Sequence, residues 1–365
     1  MMQCLVNWLA GRDLFGAFMN KNLLFVTVRL PGVDFLWIRC YYCNIFYNYF
    51  EEAFAEKRER PGMMKFGIVS DSSCDLAGEY TEREKVTIVP FYVSFDGETY
   101  YREGKDISVT DFYKKMAEQT GCYPKTSMPS AEDYRKAFLP FVSQGCPVLC
   151  ICLTQKFSGS LQAAINAKQE LEEEYEDARI EVMDSQLVTA LQGMFVKEAV
   201  HLRNQGMSME EAVKALEPIR STGHIFFTTS DLKYLEHGGR IGKAASIAGS
   251  VLNIKPLLQY YDGELASPEI CRGRKKSLQK IIERMFEYIE KNHIVLEEYY
   301  LATGVGLPVP EYEPFKKQLR DELKKRGYGI TEWEEIQIGA TIGVHTGPYP
   351  MGVGFLKKSI VNESF

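Results

Sequence analysis

The chain has 365 residues, a formal net charge of -6 and nine Cys. This length suggests two domains, or one large one with an appendage, and a composition 45% hydrophobic and 25% charged is ordinary for a soluble globular protein. The acidic balance argues against a general nucleic-acid binder, and Cys this sparse argues against a disulfide scaffold and fits free thiols in the cytoplasm.

A seam falls near residue 63. The first 50 residues hold 12 aromatics and two of the three Trp. Arg12, Asp13, Lys21, Arg29, Asp34 and Arg39 interrupt every apolar run. No run reaches the roughly 18 residues of a membrane span, and no basic start leads into a single apolar block as in a signal peptide. Cys40-x-x-Cys43 has no second pair, whereas a structural zinc site needs four ligands. No metal is expected there. A charged stretch, Glu51 to Arg60, leads to Pro61-Gly62-Met63-Met64. The expectation is that residues 1 to about 62 are upstream sequence and that synthesis begins at Met63 or Met64. The alternative is an interaction segment or a weak membrane-surface anchor.

From Lys65 onward, apolar strand-like runs alternate with amphipathic helices. Strands are predicted at Phe66–Ser70 and Thr87–Phe95, then helices at Thr110–Gln119 and Ser130–Ser143. A buried strand, Pro147–Leu153, is followed by a helix from about Leu161 to Tyr175. Cys150 and Cys152 on that strand read as small buried hydrophobes. Ile180–Met183 is a strand, and helices follow at Gln186–Asn204 and Ser208–Arg220. This alternation predicts an α/β fold with a mostly parallel sheet covered by helices.

A second section opens with a strand at Ile225–Thr229 and a Gly-rich turn, His237-Gly-Gly-Arg240, before a small-residue helix near Ala244–Ser250. Lys255–Tyr261 and Glu264–Ile270, joined by Asp262-Gly263, predict a β-hairpin. Helix Ser277–Asn292, strand Glu298–Thr303, helix Glu313–Lys325 and strand Glu334–Gly343 complete a mixed α+β pattern. The expected organisation is an extension over 1–63, an N-terminal α/β domain over 64–222 and a C-terminal domain over 223–365.

The chain lacks a Walker-type loop, a G-x-S-x-G elbow, an H-E-x-x-H motif and a G-x-G-x-x-G after a strand. Hydroxyl clusters stand at strand ends instead: Ser70-Asp71-Ser72-Ser73, Thr126-Ser127-Met128-Pro129-Ser130 and Ser158-Gly159-Ser160. In a parallel sheet such turns gather at one edge, where hydroxyls and free N–H groups suit a carboxylate or phosphate. Taken singly, each also serves as a helix cap, and Ser130 with Asp133 reads as a capping box.

The motifs resemble the DegV family. They are Val69-Ser-Asp-Ser-Ser-Cys-Asp-Leu76, Lys125-Thr-Ser-Met-Pro-Ser130, Phe157-Ser-Gly-Ser160, Leu232-Lys-Tyr-Leu-Glu-His-Gly-Gly-Arg-Ile241 and Ile342-Gly-Val-His-Thr-Gly-Pro348. They lie in family order across roughly residues 65 to 356. The resemblance implies two α/β domains with a long-chain fatty acid buried between them. It implies a bacterial cytoplasmic carrier without a catalytic centre or cofactor. Such a carrier presents the acid to a separate ATP-dependent fatty acid kinase subunit, a step toward phospholipid synthesis.

By the same resemblance, Thr126, with Ser127 beside it, and Ser158 hold the head group, supported by Gly159 and Ser160 and completed by His345. Asp71 and Ser72 hold the first loop. Arg240, with the basic cluster Arg272-Gly-Arg274-Lys-Lys276, docks the kinase subunit or an anionic membrane. Positive charge is unfavourable at a helix start, so that cluster calls for another role; the simpler one is a solvated charge run. Two other readings compete: a kinase or hydrolase acting on a small metabolite, and a purely structural or regulatory binder. The intact mass of the protein purified from its source tests the seam. A start at Met63 or Met64 is expected, and any peptide from residues 1–60 overturns it.

Overall fold

The computed structural model describes the backbone of residues 14–20, 23–30 and 33–40, and then residues 65–119, 121–230, 232–247 and 254–359. The chain forms two compact units, Met1–Met63 and Met64–Phe365. In the first, strands β1 (Leu14–Asn20), β2 (Leu23–Leu30) and β3 (Val33–Cys40) pair antiparallel in that order. These strands were not foreseen from the aromatic-rich sequence. Cys43 of the C-x-x-C lies outside the described residues.

The second unit begins with β4 (Gly67–Asp71), buried along its whole length. Helix α1 (Gly78–Arg83) leads to β5 (Val86–Val89), which lies parallel to β4. The predicted strand Thr87–Phe95 divides in two. Pro90 cannot donate to a ladder, so β5 stops. The chain restarts as β6 (Tyr92–Ser94) in a small antiparallel sheet with β7 (Tyr101–Arg102) and β8 (Lys125–Ser127). Between β7 and β8 lies α2 (Val109–Glu118). Helix α3 (Ala131–Val142) starts with the expected capping box of Ser130 and Asp133.

Next come β9 (Val148–Cys152), α4 (Ser160–Glu174) and β10 (Ile180–Asp184), completing a four-stranded parallel sheet of order β10-β9-β4-β5. Cys150 and Cys152 are fully buried in it. The chain leaves β4 toward β5 on one side and returns to β9 on the other. That reversal opens a crevice beyond the carboxyl ends of β4 and β9.

Helix α5 (Thr189–Asn204) is buried on most sides and packs on β4 of this sheet and on two strands of the next. A short helix α6 (Met209–Leu216) follows, ending just before Pro218 and not at Arg220. The second sheet has six strands. They are β11 (His224–Thr228), β12 (Ile254–Tyr261), β13 (Glu264–Arg272), β14 (Tyr299–Val305), β15 (Glu334–Gln337) and β16 (Met351–Lys357), in the order β13-β12-β11-β16-β14-β15. Only β14 and β15 pair in parallel. The predicted hairpin is present, and Asp262 and Gly263 both take positive φ (49° and 76°), as a two-residue type I′ turn requires.

Helix α7 (Lys233–His237) follows β11, and α8 (Arg274–Lys291) and α9 (Tyr312–Lys325) cover the outer face of the sheet. The predicted strand Glu334–Gly343 ends at Gln337, and Ala340–Thr346 is a helix, α10. Apolar alternation at Ile338, Ala340, Ile342 and Val344 imitates a strand, but Glu103 accepts the Thr341 N–H (3.0 Å) and stabilises a helix start there. The central strand β16 was missed, because Gly352 and Gly354 weaken any strand signal. Among the described residues no helix is long and apolar enough to cross a membrane.

One carboxylate ties the first half together. Asp71, at the carboxyl end of β4, is fully buried. Its Oδ2 accepts the Leu153 N–H (2.9 Å) and the Ser160 hydroxyl (3.3 Å). Its Oδ1 accepts Gln192 Nε2–H (3.0 Å) and the Ser73 hydroxyl. Burial pushes its pKa up, and these donors oppose that shift. Asp71→Ala leaves several buried donors unpaired, so we expect a loss of about 3 kcal/mol or more in urea-unfolding stability.

Candidate functional site

A cavity of about 340 Å³ lies between the crevice of the parallel sheet and the inner face of the six-stranded sheet. Its lining is mostly apolar: Phe91, Leu153, Val188, Leu191, Ile225, Phe227, Tyr260, Ile336 and Ile338. Among its polar residues, Thr126 and Ser127 from β8, Ser158 and Gly159 from the turn before α4, Arg240, and His345 and Thr346 from α10 form one group, whereas Thr189 and Thr341 also line the cavity with hydroxyls bonded to Asp75 and Glu103.

That group is built by backbone geometry. Ser158 Oγ accepts the Ser160 N–H (3.2 Å), and Gly159 is the N-cap of α4, whose first turn carries no acidic residue. The start of this 15-residue helix therefore offers unneutralised positive dipole to an anion. Thr126 Oγ1 and His345 Nε2 lie 3.1 Å apart. Gly238 backs the imidazole so closely that a Cβ there would overlap His345 Nδ1. Burial first, then the charge of Arg240, lowers the His345 pKa to about 4, so the ring is neutral near pH 7. Its Nδ1 is buried without a hydrogen-bond partner. Arg240 donates from Nε to Phe157 O (2.9 Å) and from Nη1 to Gly238 O (2.7 Å). A guanidinium has five N–H donors, and these bonds use two of them.

Thr126, Ser127, Ser158, Gly159 and His345 thus meet at one end of one cavity. His345 reaches it from helix α10, not from the end of a strand as its apolar flank suggested. Ser160 does not line the cavity. Its hydroxyl bonds Tyr134 OH (2.6 Å) and Asp71, so it braces the turn from behind. Asp71 and Ser72 also stay out of the lining.

Arg240 belongs to the cavity and is set apart from Arg272 and Arg274. Lys243, three residues after Arg240, pairs with Glu264 at the hairpin turn (3.3 Å), whereas Arg272 stands at the open end opposite Ile254. Eight strand residues, roughly 26 Å, separate those ends. Arg272 is exposed and Arg274 half-buried.

Sequence reasoning missed Thr346 and the small residues Ala302, Gly304, Gly352 and Gly354 that floor the apolar end. The spacing Gly352-Val-Gly354 was the available signal.

A second cavity, about 520 Å³, adjoins the first and shares Ala190 and Ile336 with it. It contains Asp75 and Glu103. Glu103 Oε2 accepts the hydroxyls of Ser72 and Thr341 (2.6 Å each), and Ser72 Oγ accepts the Phe91 N–H (2.9 Å). Glu103 therefore links two walls of the first cavity, Phe91 and α10. Asp75 Oδ2 accepts the Thr189 hydroxyl (2.5 Å), while Oδ1 is buried without a partner. Burial raises both carboxyl pKa values, and Glu103 raises that of Asp75 further. No group of three or more His, Cys, Asp or Glu among the described residues could hold a metal ion.

The sequence model of the DegV family, described as uncharacterised proteins, matches residues 65–358. A DegV domain-containing protein of Caldanaerobacter subterraneus subsp. tengcongensis is 34% identical over 298 residues, covering 81% of this chain and 100% of the relative. Among solved structures, a stearic acid-binding protein from Eubacterium ventriosum is 40% identical with a TM-score of 0.75, covering 80% of this chain and 98% of its own. A fatty-acid-binding DegV family protein from Thermus thermophilus is 30% identical with a TM-score of 0.70, covering 81% and 100%.

The Asp75–Glu103 pair has a pH consequence. A carboxyl whose pKa is raised on folding contributes stability that is present below the unfolded carboxylate range and lost as pH rises through the raised value. Stability should fall from about pH 4.5 upward, the unfolded carboxylate range being about 4. Glu103→Gln keeps an acceptor for Thr341 and removes one charge, so its urea midpoint should vary less with pH. An unchanged pH profile would refute the assignment.

Proposed function

The chain belongs to the DegV family, and from that premise we propose that it binds a long-chain fatty acid in the 340 Å³ cavity and presents the carboxyl group to a separate ATP-dependent kinase subunit. One observation carries the binding reading: a mostly apolar cavity in which Thr126, Ser158, Gly159, Arg240 and His345 cluster together, while the Thr189 and Thr341 hydroxyls that also line it are bonded to buried carboxyls. Each methylene buried is worth about 0.8 kcal/mol, so the tail supplies most of the affinity. The carboxylate needs charged or hydrogen-bonding partners, because an unpaired buried charge is very costly.

Those partners are Thr126, Ser158, the Gly159 turn with the start of α4, and Arg240. With its proton on Nε2, the neutral His345 donates to Thr126 Oγ1. The Thr126 hydroxyl is then free to donate its own proton to the carboxylate. His345 orients Thr126 and carries no charge to the ligand. The chain acts as a carrier, with no step of bond making assigned to it.

Exposure supports presentation. Met128, 47% exposed, covers Gly159 at the polar end, and Ser127 and Gly159 are exposed beside it. At the apolar end the lining is buried or half-buried, with Leu153, Val188, Leu191 and Ala302 fully inside. A partner can therefore reach the carboxyl while the tail stays enclosed. Exposed Arg272, with Lys275 and Lys276, adds a basic surface for that partner or for an anionic membrane during exchange of the acid.

Denaturing extraction followed by mass spectrometry should release a fatty acid from the purified protein; a polar metabolite, or nothing, would overturn the reading. Thr126→Val and Ser158→Ala should each weaken fatty acid binding about tenfold or more, the value of a hydrogen bond to a charged group. Charge reversal by Arg272→Glu should lower kinase-dependent phosphorylation and leave the lipid content unchanged.

A further inference from the structure

The cavity has a defined inner end, and its position rests on strand register. On the face of β14 and β16 that turns toward the cavity, Gly352 stands opposite Gly304 and Gly354 opposite Ala302. One row further, Leu356 stands opposite Tyr300. The first two rows line the cavity, and the third does not. Small side chains thus leave a trough along two strands, and bulky ones close it.

Leu191, fully buried on α5, sits at that boundary and lines the cavity. A Cβ placed on Gly354 would lie 3.3 Å from Leu191 Cδ2, and one placed on Gly223 would lie 3.1 Å from Leu191 Cδ1. The two methyls are therefore seated against two glycines on one face of the six-stranded sheet. Leu356 Cδ1 lies 3.5 Å from the same point above Gly223, directly behind the plug.

Resting on the fatty-acid reading above, we propose that Leu191 sets the longest acyl chain the cavity accepts. A tail that reaches Leu191 fills the trough. A longer one must displace a close-packed side chain or leave methylenes in water. A shorter one loses about fourfold in affinity for each methylene it lacks. Leu191 acts on length and not on the head group, because Thr126, Ser158, Arg240 and His345 are contributed by other elements and cluster together.

Competition binding tests this on the delipidated full chain, with saturated fatty acids increasing by single carbons. The wild type should show one length of tightest binding. Leu191→Ala should move that optimum about two carbons longer, with the longer acid gaining roughly fifteenfold, the transfer value of two methylenes. If that variant does not fold, Leu191→Val decides, with a shift of about one carbon expected. An unchanged optimum in a folded variant overturns the proposal. A wild type that binds no acid of any length overturns the fatty-acid reading itself, a result visible before any variant is made.

Discussion

A fully buried carboxyl with four donors holds the first half of this molecule in register. Asp71 lies at the point where the strand order of the parallel sheet reverses. Its two oxygens draw in the backbone after β9, the first residue of α4 and the Gln192 side chain of α5. Burying that charge is costly, so the donors cannot drift away without a large penalty. The turn Ser158–Ser160 inherits its position from this bond set, and so does the polar end of the cavity. The chain therefore uses a buried acid to set geometry.

The cavity gains its direction from the same asymmetry. Helix α5 is wedged between the two sheets, and its start forms the roof over the apolar end. The six-stranded sheet supplies a floor of small residues there. At the other end α10 delivers a neutral His345 against Thr126, and Glu103 holds the start of α10 through Thr341. Because Glu103 also reaches Phe91 through Ser72, both walls respond to one buried carboxyl. The free polar donors thus cluster near exposed Met128, and the Thr189 and Thr341 hydroxyls are tied to Asp75 and Glu103.

Much of this was legible from residue patterns. The hydroxyl clusters at successive strand ends marked Thr126 and Ser158, and the Asp262-Gly263 pair marked the hairpin turn. The errors share one cause: local pattern and tertiary pairing disagreed. Pro90 divided an apolar run that read as one strand. Residues 340–346 alternate like a strand, yet Glu103, more than 200 residues earlier, gives them a helix start. Ser160 looked like Ser158, but only packing reveals that one faces the cavity and the other faces Asp71. Gly352 and Gly354 hid β16, although it pairs with strands on both sides.

The sequence alone determined the α/β class, the seam near residue 63, the family resemblance and most of the polar cluster that lines the cavity. Those depend on periodicity, turn chemistry and short motifs, all of which act over a few neighbouring residues. Only the tertiary structure decided that Arg240 joins the cavity while Arg272 stays at the far end of a hairpin. It alone showed that Leu191 sits between Gly223 and Gly354 to close the trough. Side-chain direction and strand register are set by contacts between distant segments, and no local pattern encodes them.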